Sequence, residues 1–459
     1  MATVVIDGCS IATVDAADTE HASGHLVVVD GRINAVGSGP APKIDGAQHV
    51  NGSGCLATPG LVNTHDHLYQ WLTRGFAQDN TLFEWLIALY PIWGQLDADL
   101  EYVGASVGLA SLALSGCTTS TDHHYVFPHD GGDLLAAEIE AASRIGLRFH
   151  PCRGSMDLGQ RHGGLPPDHV VEDREVILAA SEDAVRRHHD PGFDSMVRIA
   201  LAPCSPFSVT GELMRESAKL ARRLGVRLHT HLAETADEDR FCEDNFGCRP
   251  VDYVESLGWL GDDVWLAHGV HLNDSDIGKV AATGTGVAHC PSSNGRLGSG
   301  IAPVTELLAA GAPVGLGVDG TASNESGRLA EELRQAMVVA RSRRGPLALN
   351  ARQSLKIGTA GGARCLGRQD EIGSLEVGKL GDVALWRLDG IGHADIEDPV
   401  CALVFGPPAP LELLLVGGNS VVVGDELRTA DVATLAKESR TAARELVRRA
   451  SAAGAPSAG

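Results

Sequence analysis

The chain has 459 residues, 44% of them hydrophobic and 21% charged, a composition that is typical of a folded protein and excludes a largely disordered one. Asp and Glu number 59 against 37 Lys and Arg, so the formal net charge is −22. A surface this acidic repels nucleic acid and anionic membranes, which excludes both as partners.

The N-terminal residues predict neither a signal peptide nor a membrane anchor. No basic segment precedes an apolar stretch there, and no uninterrupted apolar run is long enough to span a bilayer. The ten cysteines include no CxxC pair, a pattern typical of scattered buried thiols. We therefore expect a cytoplasmic protein, and a symmetric homo-oligomer is the default expectation for its size.

The two flanks of the chain predict short strands separated by Gly and Asp turns. The first flank contains TVVIDGCSIATVD, HLVVVDGRINAVGSG and AQHVNGSGCLAT. The second contains GSLEVGKLGDVALWRL and LLLVGGNSVVVGDEL. Neither flank has enough strands for a core of its own, so we expect residues 1–57 and 370–428 to form one small discontinuous β-sandwich domain.

The central region, residues 58–369, predicts strands that alternate with amphipathic helices such as 175–189 and 212–225. Eight strands over roughly 260 residues match a (β/α)8 barrel in number and size. The predicted strands are 60–67, 116–124, 146–154, 196–204, 226–234, 264–270, 284–291 and 313–320. Residues 429–459 predict a C-terminal helix and tail.

Chemically capable side chains collect at the predicted carboxyl ends of these strands, which form one face of such a barrel. The first strand ends in NTHDH, where His65 and His67 are two residues apart and therefore point to the same side. The fifth, sixth and eighth strands end in HTHLAE, LAHGV and GVDG, which supply His229, His231, Glu234, His268 and Asp319.

Three imidazoles and one carboxylate at the mouth of one barrel are a ligand set for a divalent metal ion, with a position left for water. An HxH pair alone is weak evidence, because it also occurs as a surface or packed pair. His229 and His231 lie on the same strand face, so spacing alone does not decide which of them is the ligand.

The motifs PGLVNTHDH, HTHLAE, LAHG and GLGVDG resemble those of the amidohydrolase superfamily, in its cytosine/guanine deaminase and triazine hydrolase branch. The resemblance covers essentially the whole chain, and STDHHYVFP, RGSMDLG, LAPCSPFSVT and HCPSSNGRL are most similar to the 8-oxoguanine deaminases. It implies a metal site and two further catalytic residues. The implied ligands are His65, His67, His231 and Asp319, with Glu234 as proton shuttle and His268 as the residue that orients the attacked group.

The resemblance also implies the number of metal ions. Binuclear members of the superfamily bridge two ions with a carbamylated lysine on the fourth strand, but here that strand ends in ALAPCSP. Between His67 and His229 the one lysine is Lys219, in a helical segment. We therefore expect one divalent ion; zinc suits imidazole and carboxylate ligands, and iron is also compatible with them.

The implied reaction is hydrolytic deamination of an aminated N-heterocycle, with 8-oxoguanine converted to urate and ammonia. Metal binding lowers the pKa of water from about 15.7 toward 7. Asp319 would accept a proton from that water, Glu234 would protonate the ring nitrogen beside the attacked carbon, and His268 would stabilise the developing oxygen charge.

Three residues are predicted to contact this small-molecule substrate. Gln70 resembles the amide that reads the purine ring in guanine deaminase-like enzymes. Arg153 ends the third strand and offers a planar bidentate donor. Trp93, with Trp71 and Phe83, lies in a predicted long loop after the first strand, where aromatic side chains cover an aromatic substrate or pack against helices.

Alternatives remain open at this stage. Asp66 departs from the histidine that is usual between the ligands in the 8-oxoguanine deaminases, so isoxanthopterin, guanine or a triazine is an alternative substrate, with deamination, N-dealkylation or dechlorination as the reaction. A non-catalytic scaffold would predict lost ligands, and every ligand position is filled. A cytidine-type deaminase needs H-x-E with P-C-x-x-C, and neither PCSPF nor CPSSN has the second cysteine.

Overall fold

A computed structural model describes residues 3–455 of the chain. Within these residues, eight parallel strands close into a barrel, and nine further strands contributed by both flanks form a second sheet. The predicted fold class is confirmed. The predicted domain limits at residues 57, 369 and 428 stay a prediction, and the last four residues of the expected tail lie outside the described part.

The strands, in chain order, are β1 (Thr3–Ala12), β2 (Glu20–Val29), β3 (Arg32–Ser38), β4 (Gln48–Asn51), β5 (Cys55–Pro59), β6 (Leu61–Asn63), β7 (Cys117–His124), β8 (Arg148–Ser155), β9 (Ala200–Pro203), β10 (Arg227–Leu232), β11 (Val264–His268), β12 (Gly286–His289), β13 (Val314–Leu316), β14 (Val383–Arg387), β15 (Leu411–Val416), β16 (Asn419–Val423) and β17 (Glu426–Leu427).

The barrel consists of β6 to β13 in chain order, and β13 pairs with β6 through Leu316 and Asn63 to close it. Seven of these strands lie within the predicted segments, and β8 extends one residue beyond its segment, to Ser155. Almost every residue of the barrel strands is buried, because side chains face either the barrel interior or the surrounding helices. Small and branched residues, including Val62, Ala200 and Ala288, fill the interior with Trp265.

The helices are α1 (Leu82–Trp93), α2 (Ala98–Ala113), α3 (Leu134–Ile145), α4 (Arg174–His188), α5 (Gly211–Leu224), α6 (Ala236–Phe246), α7 (Pro250–Ser256), α8 (Asp274–Thr283), α9 (Pro291–Arg296), α10 (Val304–Ala309), α11 (Leu329–Arg344), α12 (Ala351–Lys356), α13 (Gly362–Cys365), α14 (Pro399–Phe405) and α15 (Val432–Ala452). Short 3₁₀ helices span Leu68–Thr73, Gln160–His162 and Asp168–Val170, and a π-helical turn spans Ile357–Gly361.

The predicted helix over 212–225 shows how the local sequence defines these elements. The Thr210 side chain caps α5 by accepting a hydrogen bond from the backbone N–H of Leu213, and Gly225 ends the helix in the left-handed conformation with φ of 71°. Apolar residues at helical spacing pack against the barrel. They are Leu213, Met214, Ala218, Leu220 and Ala221.

The second sheet joins the two flanks of the chain, in the order β17-β16-β15-β14-β5-β1-β2-β3 with β4 beside β1. The junction is the antiparallel pair β5–β14, where Ala57 faces Leu385. Alternate residues of these strands form one apolar cluster, as the period-two pattern of a strand requires. That cluster includes Ile6, Ile11, Leu26, Val28, Leu385, Leu413 and Leu415.

This sheet attaches to the amino ends of the barrel strands. Trp386 packs on Gly116, the residue before β7, so closely that a Cβ at Gly116 would lie 2.1 Å from the indole ring. At the start of β8, Arg148 forms a buried ion pair with Asp382, 3.0 Å between nitrogen and oxygen. The carboxyl ends of the strands, which lie at the opposite side of the barrel, are therefore left free for a functional site.

The C-terminal helix α15 packs on α1 at the carboxyl face of the barrel. Ala442, Leu446 and Ala450 of α15 belong to the same apolar cluster as Trp85 and Tyr90 of α1. A capping box between Thr81 and Glu84 starts α1. Among the residues that the structure describes, no helix is both long and apolar enough to cross a membrane.

Candidate active site

Imidazoles from three strands, one of them across the barrel from the other two, meet at its carboxyl face. His65 and His67 follow β6, His229 and His231 belong to β10, and His268 is the last residue of β11. The rings of His65 and His231 have their centroids 4.9 Å apart, and those of His65 and His268 are 5.3 Å apart. The structure therefore brings together the histidines that were predicted from strand ends far apart in sequence.

A chain of hydrogen bonds determines the orientation of His65. The Nδ1–H of His229 donates to the backbone carbonyl of Trp265 at 2.8 Å, because a carbonyl oxygen can only accept. His229 Nε2 is then an acceptor, and it receives a hydrogen bond from His65 Nδ1 at 2.8 Å. His65 Nε2 is left with a free lone pair, and it has no hydrogen-bond partner among residues 3–455.

His67 and His231 are held in the same tautomer by backbone carbonyls. His67 Nδ1 donates to the carbonyl of His123 at 2.7 Å, and His231 Nδ1 donates to that of Cys204 at 2.7 Å. Their Nε2 atoms face each other at 3.1 Å. Two imidazole lone pairs at this distance repel each other unless a positive charge lies between them.

Asp319 completes the group at the end of the eighth strand. One carboxylate oxygen, Oδ1, lies 3.4 Å from His65 Nε2 and 3.4 Å from His67 Nε2. The other, Oδ2, accepts a hydrogen bond of 2.5 Å from Ser293 Oγ. Asp319 has φ of 62°, in the left-handed region, and this strained backbone turns its side chain toward the histidines.

The donor set fits a metal ion better than a proton. Burial lowers the pKa of His67 to about 3 and that of His231 well below its usual value, so an imidazolium is disfavoured here. Ligand atoms of His65, His67 and Asp319 lie within 4.8 Å of one another, as do those of His65, His231 and His268. A cation at their centre would satisfy these unpaired lone pairs together.

Glu234 and His268 lie beside this centre, as predicted. Glu234 Oε2 is 3.7 Å from His268 Nε2, and burial raises the pKa of Glu234 to about 7, so this carboxyl can hold or release a proton near neutral pH. His268 Nδ1 donates to the amide oxygen of Asn294 at 3.0 Å, which leaves its Nε2 free. Asn294 and Ser293 were not predicted, although both lie in the motif HCPSSNGRL.

A cavity opens above the cluster. Its floor contains His67, His231, Glu234, His268 and Asp319, and among the described residues that line it there is no lysine or arginine. Aromatic and aliphatic side chains form its walls. They are Leu82, Trp85, Leu86 and Tyr90 of α1, Tyr125 after β7, Phe207 after β9, and Leu297.

Gln70, which was predicted to contact the substrate, lines the cavity. Its amide oxygen and nitrogen are buried and have no hydrogen-bond partner within the described chain. The amide lies against Gly320, where a Cβ atom would come within 2.0 Å of Gln70 Oε1. An unpaired amide in a cavity is a ready donor and acceptor for a ligand.

Arg153, by contrast, does not line this cavity. Its guanidinium pairs with the carboxylate of Glu172 at 2.7 and 2.8 Å and stacks over the ring of Phe127 at 3.7 Å. On β8, Cys152 contributes to the interior of the barrel, so the next residue points outward. The prediction had the right strand end but the wrong side of the strand.

The aromatic prediction needs a similar correction. The segment predicted as a long loop forms the 3₁₀ helix and α1, and it is Trp85 and Tyr90 of α1 that line the cavity. Trp93, about two helical turns after Trp85, is fully buried, and its indole N–H donates to Thr73 Oγ1 at 3.0 Å. Trp71 and Phe83 do not line the cavity either.

Comparison with known proteins agrees with this geometry. Residues 56–421 match the amidohydrolase family. The chain is 48% identical to the 8-oxoguanine deaminase of Pseudomonas aeruginosa, over 93% of this chain and 95% of that one. It is 38% identical to an isoxanthopterin deaminase from an unknown prokaryotic organism, over 92% and 91%. The crystal structure of atrazine chlorohydrolase from Arthrobacter aurescens TC1 complexed with zinc superposes with a TM-score of 0.90 at 33% identity, covering 96% of this chain and 100% of that one.

These likenesses confirm the family predicted from the strand-end motifs, and with it the prediction of a hydrolase. The zinc in the structural relative and the convergent histidines together support a divalent metal ion in the site. The chain belongs to the amidohydrolase family.

Proposed function

We propose that the protein is a zinc-dependent deaminase that converts 8-oxoguanine to urate and ammonia. The observation that carries this proposal is the meeting of three features in one cavity: convergent imidazole lone pairs, a carboxyl group with a pKa near neutrality, and the unpaired amide of Gln70. The 48% identity to an 8-oxoguanine deaminase supports the choice of substrate.

His65, His67, His231 and Asp319 would hold one metal ion. When bound, the ion supplies a water molecule whose pKa falls from about 15.7 to about 7. A single ion is favoured because neither β9 nor the Cys204 that follows it supplies a lysine to bridge two ions, and Lys219 lies exposed on α5. Imidazole and carboxylate ligands suit zinc, and iron is the alternative.

Proton transfer would rest on two carboxyl groups. Asp319 Oδ1 faces the centre of the cluster and would accept the proton of the attacking water, while Ser293 holds Oδ2 in place. Glu234 would give its proton to the ring nitrogen beside the attacked carbon, since its raised pKa keeps a large protonated fraction near pH 7. Return of a proton to the exocyclic amine then releases ammonia.

His268 would steady the oxygen that develops on the attacked carbon. Its Nδ1 is committed to Asn294, so that the ring cannot turn and its Nε2 stays directed at the cavity. This Nε2 also lies 3.7 Å from Glu234 Oε2, which keeps the two groups on the same side of a bound ring. Preorganised polar groups of this kind stabilise charge in the transition state more than in the ground state.

The walls of the cavity support a flat, uncharged heterocycle. Trp85, Tyr90 and Tyr125 offer aromatic surface to a ring, and the absence of lysine and arginine from the described lining gives no partner to a phosphate or carboxylate. The Gln70 amide presents one donor and one acceptor, which match the N–H and C=O of a lactam edge such as that of 8-oxoguanine.

Ammonia release from 8-oxoguanine, guanine and isoxanthopterin by the metal-loaded protein tests the proposal. We expect the highest kcat/KM for 8-oxoguanine, because the chain is 48% identical to an 8-oxoguanine deaminase and 38% identical to an isoxanthopterin deaminase. Hydroxytriazines and chlorotriazines would be assayed in parallel for alkylamine and chloride release. A higher kcat/KM for isoxanthopterin or for a triazine would overturn the assignment to 8-oxoguanine.

A further inference from the structure

The backbone turn that carries Glu234 rests on the carboxylate of a second, buried glutamate. Glu238 Oε1 accepts a hydrogen bond from the backbone N–H of Ala233 at 2.9 Å, and Glu238 Oε2 accepts one from the N–H of Glu234 at 3.0 Å. Glu238 has no exposed surface, and it does not line the cavity. It is therefore placed to act on Glu234 without touching the substrate.

These two N–H groups lie between two regular elements. β10 ends at Leu232, and α6 begins at Ala236 with Thr235 as its N-cap, so neither a strand partner nor a helical carbonyl is available to them. Ala233 has φ of 53°, in the left-handed region that residues other than glycine seldom adopt. A strained turn with two buried donors needs an acceptor such as Glu238 to remain in one conformation.

The carbonyl side of the same turn is tied to the loop that follows His268. The backbone N–H of Gly269 donates to the carbonyl of Leu232 at 3.1 Å, and that of His271 donates to the carbonyl of Ala233 at 2.9 Å. The turn is thus fixed from both sides, by a carboxylate through its N–H groups and by backbone through its carbonyls. Glu234 is kept at 3.7 Å from His268 by this arrangement.

Glu238 itself is anchored in the first turn of α6. Its backbone N–H points at Thr235 Oγ1, and the next residue, Asp239, forms an ion pair of 2.9 Å with Arg249. Arg249 also binds Asp276 of α8 at 3.1 Å and the carbonyl of His271 at 2.7 Å. Glu238 therefore lies in a helix turn that is held in place by capping, ion pairs and a hydrogen bond.

We propose that Glu238 is a positioning residue, whose two carboxyl oxygens hold the 233–234 turn so that Glu234 points at the ring nitrogen of the substrate. This inference rests on the proposed role of Glu234 as proton shuttle. Displacement of an acid or base by about 1 Å can reduce turnover on the order of 10²-fold. Binding of the ring by Gln70 and the aromatic walls should change little.

The test compares E238Q with E243Q, a matched change at an exposed glutamate of the same helix. Glutamine keeps one acceptor oxygen but presents an NH₂ group to the second backbone donor, which breaks one of the two hydrogen bonds. We expect kcat of E238Q to fall roughly 10- to 100-fold, KM to change less than about threefold, and the bound metal to stay at the wild-type level. E243Q should behave as wild type.

A double-mutant cycle separates positioning of Glu234 from a general structural role. If Glu238 acts through Glu234, then E238Q should cause little further loss in a chain that already carries E234Q. The variant E238D, which keeps the carboxyl group but is shorter, serves as a second probe should E238Q fail to fold. A shift of the kcat–pH profile in E238Q and E238D, absent in E243Q, is also expected.

Three results would overturn the inference. They are turnover of E238Q and E238D within about twofold of wild type, a loss confined to KM, or a full additional loss in the E234Q background. Wild-type protein assayed beside the variants distinguishes this failure from that of the proposed function. An inactive, metal-loaded wild type would reject both, whereas an active wild type with unaffected variants rejects only the positioning role.

Discussion

The two faces of β7 carry buried groups of ionisable side chains that are satisfied in different ways. On the inner face His123 stacks on His231, with ring centroids 4.6 Å apart, beside what we call the inner cluster, consisting of His65, His67, His231 and Asp319. On the outer face lies what we call the outer cluster, consisting of Glu101, Asp122, His124 and Glu138. Both clusters are buried and contain histidine and carboxylate together.

In the inner cluster every imidazole proton is used elsewhere. The Nδ1–H groups of His67 and His231 donate to backbone carbonyls, and that of His65 donates to His229. Three lone pairs and a carboxylate oxygen are left to face one point. Only a cation that accepts several lone pairs at once can satisfy such a group.

The outer cluster can be satisfied by protons alone. Burial raises the pKa of Glu101 and Glu138 well above the usual value and that of Asp122 to about 7, so the carboxyl groups take up protons. Glu138 can then donate to Asp122, and Glu101 to His124 Nδ1, which lies 3.5 Å away. Comparison of the two clusters teaches that proximity of ligand-type residues is insufficient to predict a metal site, because the positions of the protons decide.

The largest effect, on metal content and turnover, should come from removal of a metal ligand of the inner cluster. We expect H67A to lose its metal ion and to fall to background turnover, because the pKa of the attacking water returns from about 7 toward 15.7. Metal analysis and ammonia release from the purified variant measure both effects. The matched change in the outer cluster is the double variant E101Q/E138Q, which should leave the metal content unchanged. Loss of a metal ion from this double variant would contradict the view that protons alone satisfy the outer cluster.

A smaller effect is expected from the histidine that orients a ligand without binding the ion. H229A removes the acceptor that holds His65 Nδ1, and such partners of metal-binding histidines contribute about 10- to 100-fold to metal affinity. Competition with a chelator at increasing concentration measures the change. H124Q, a change in the outer cluster, should keep the wild-type affinity for the metal ion. An equal loss of metal affinity in H124Q would show that the hydrogen bond between His65 and His229 has no special role.

The smallest effect concerns how the free energy of unfolding changes with pH. Since burial raises the pKa of Glu138 above its unfolded value, its contribution to the free energy of unfolding is fully present below about pH 4.3 and declines as pH rises toward the folded pKa. In E138Q the amide does not titrate, so stability should fall less steeply with pH, by up to about 1.4 kcal/mol per pH unit.

Urea unfolding of wild type and E138Q at pH 5, 7 and 9 measures this slope. E140Q, at an exposed glutamate of the same helix α3, is the matched control and should follow the wild-type pH dependence. Equal slopes for E138Q and wild type would mean that Glu138 remains ionised, and then the outer cluster would need a cation after all.

The strand ends were predictable, whereas the contacts between elements were not. His65 and His67 share a face because side chains alternate along an extended chain, and this rule needs no knowledge of the fold. Arg153 was placed in the cavity because the sequence does not show which of two alternating faces points inward. Trp93 was predicted to contact the substrate and Trp85 was not considered, because the rotation of α1 about its axis depends on what it packs against.

For the same reason, the residues that support the site could not be predicted from the sequence. Glu238 lies only four residues after Glu234, yet its role depends on the two backbone N–H groups that donate to it from a turn with positive φ at Ala233. Asn294 reaches His268 from a different strand end. Such partners are recognisable only once the distances between donor and acceptor atoms are known.

The sequence by itself determined the barrel, the family and the set of side chains available at the strand ends, because strand periodicity and the alternation of strands with helices are local properties of the chain. Tertiary structure alone decided which nitrogen of each histidine carries the proton, that His229 orients His65, and which aromatic residues face the cavity. Those outcomes depend on hydrogen-bond partners and packing surfaces that come from distant parts of the chain, and such contacts leave no periodic trace in the sequence.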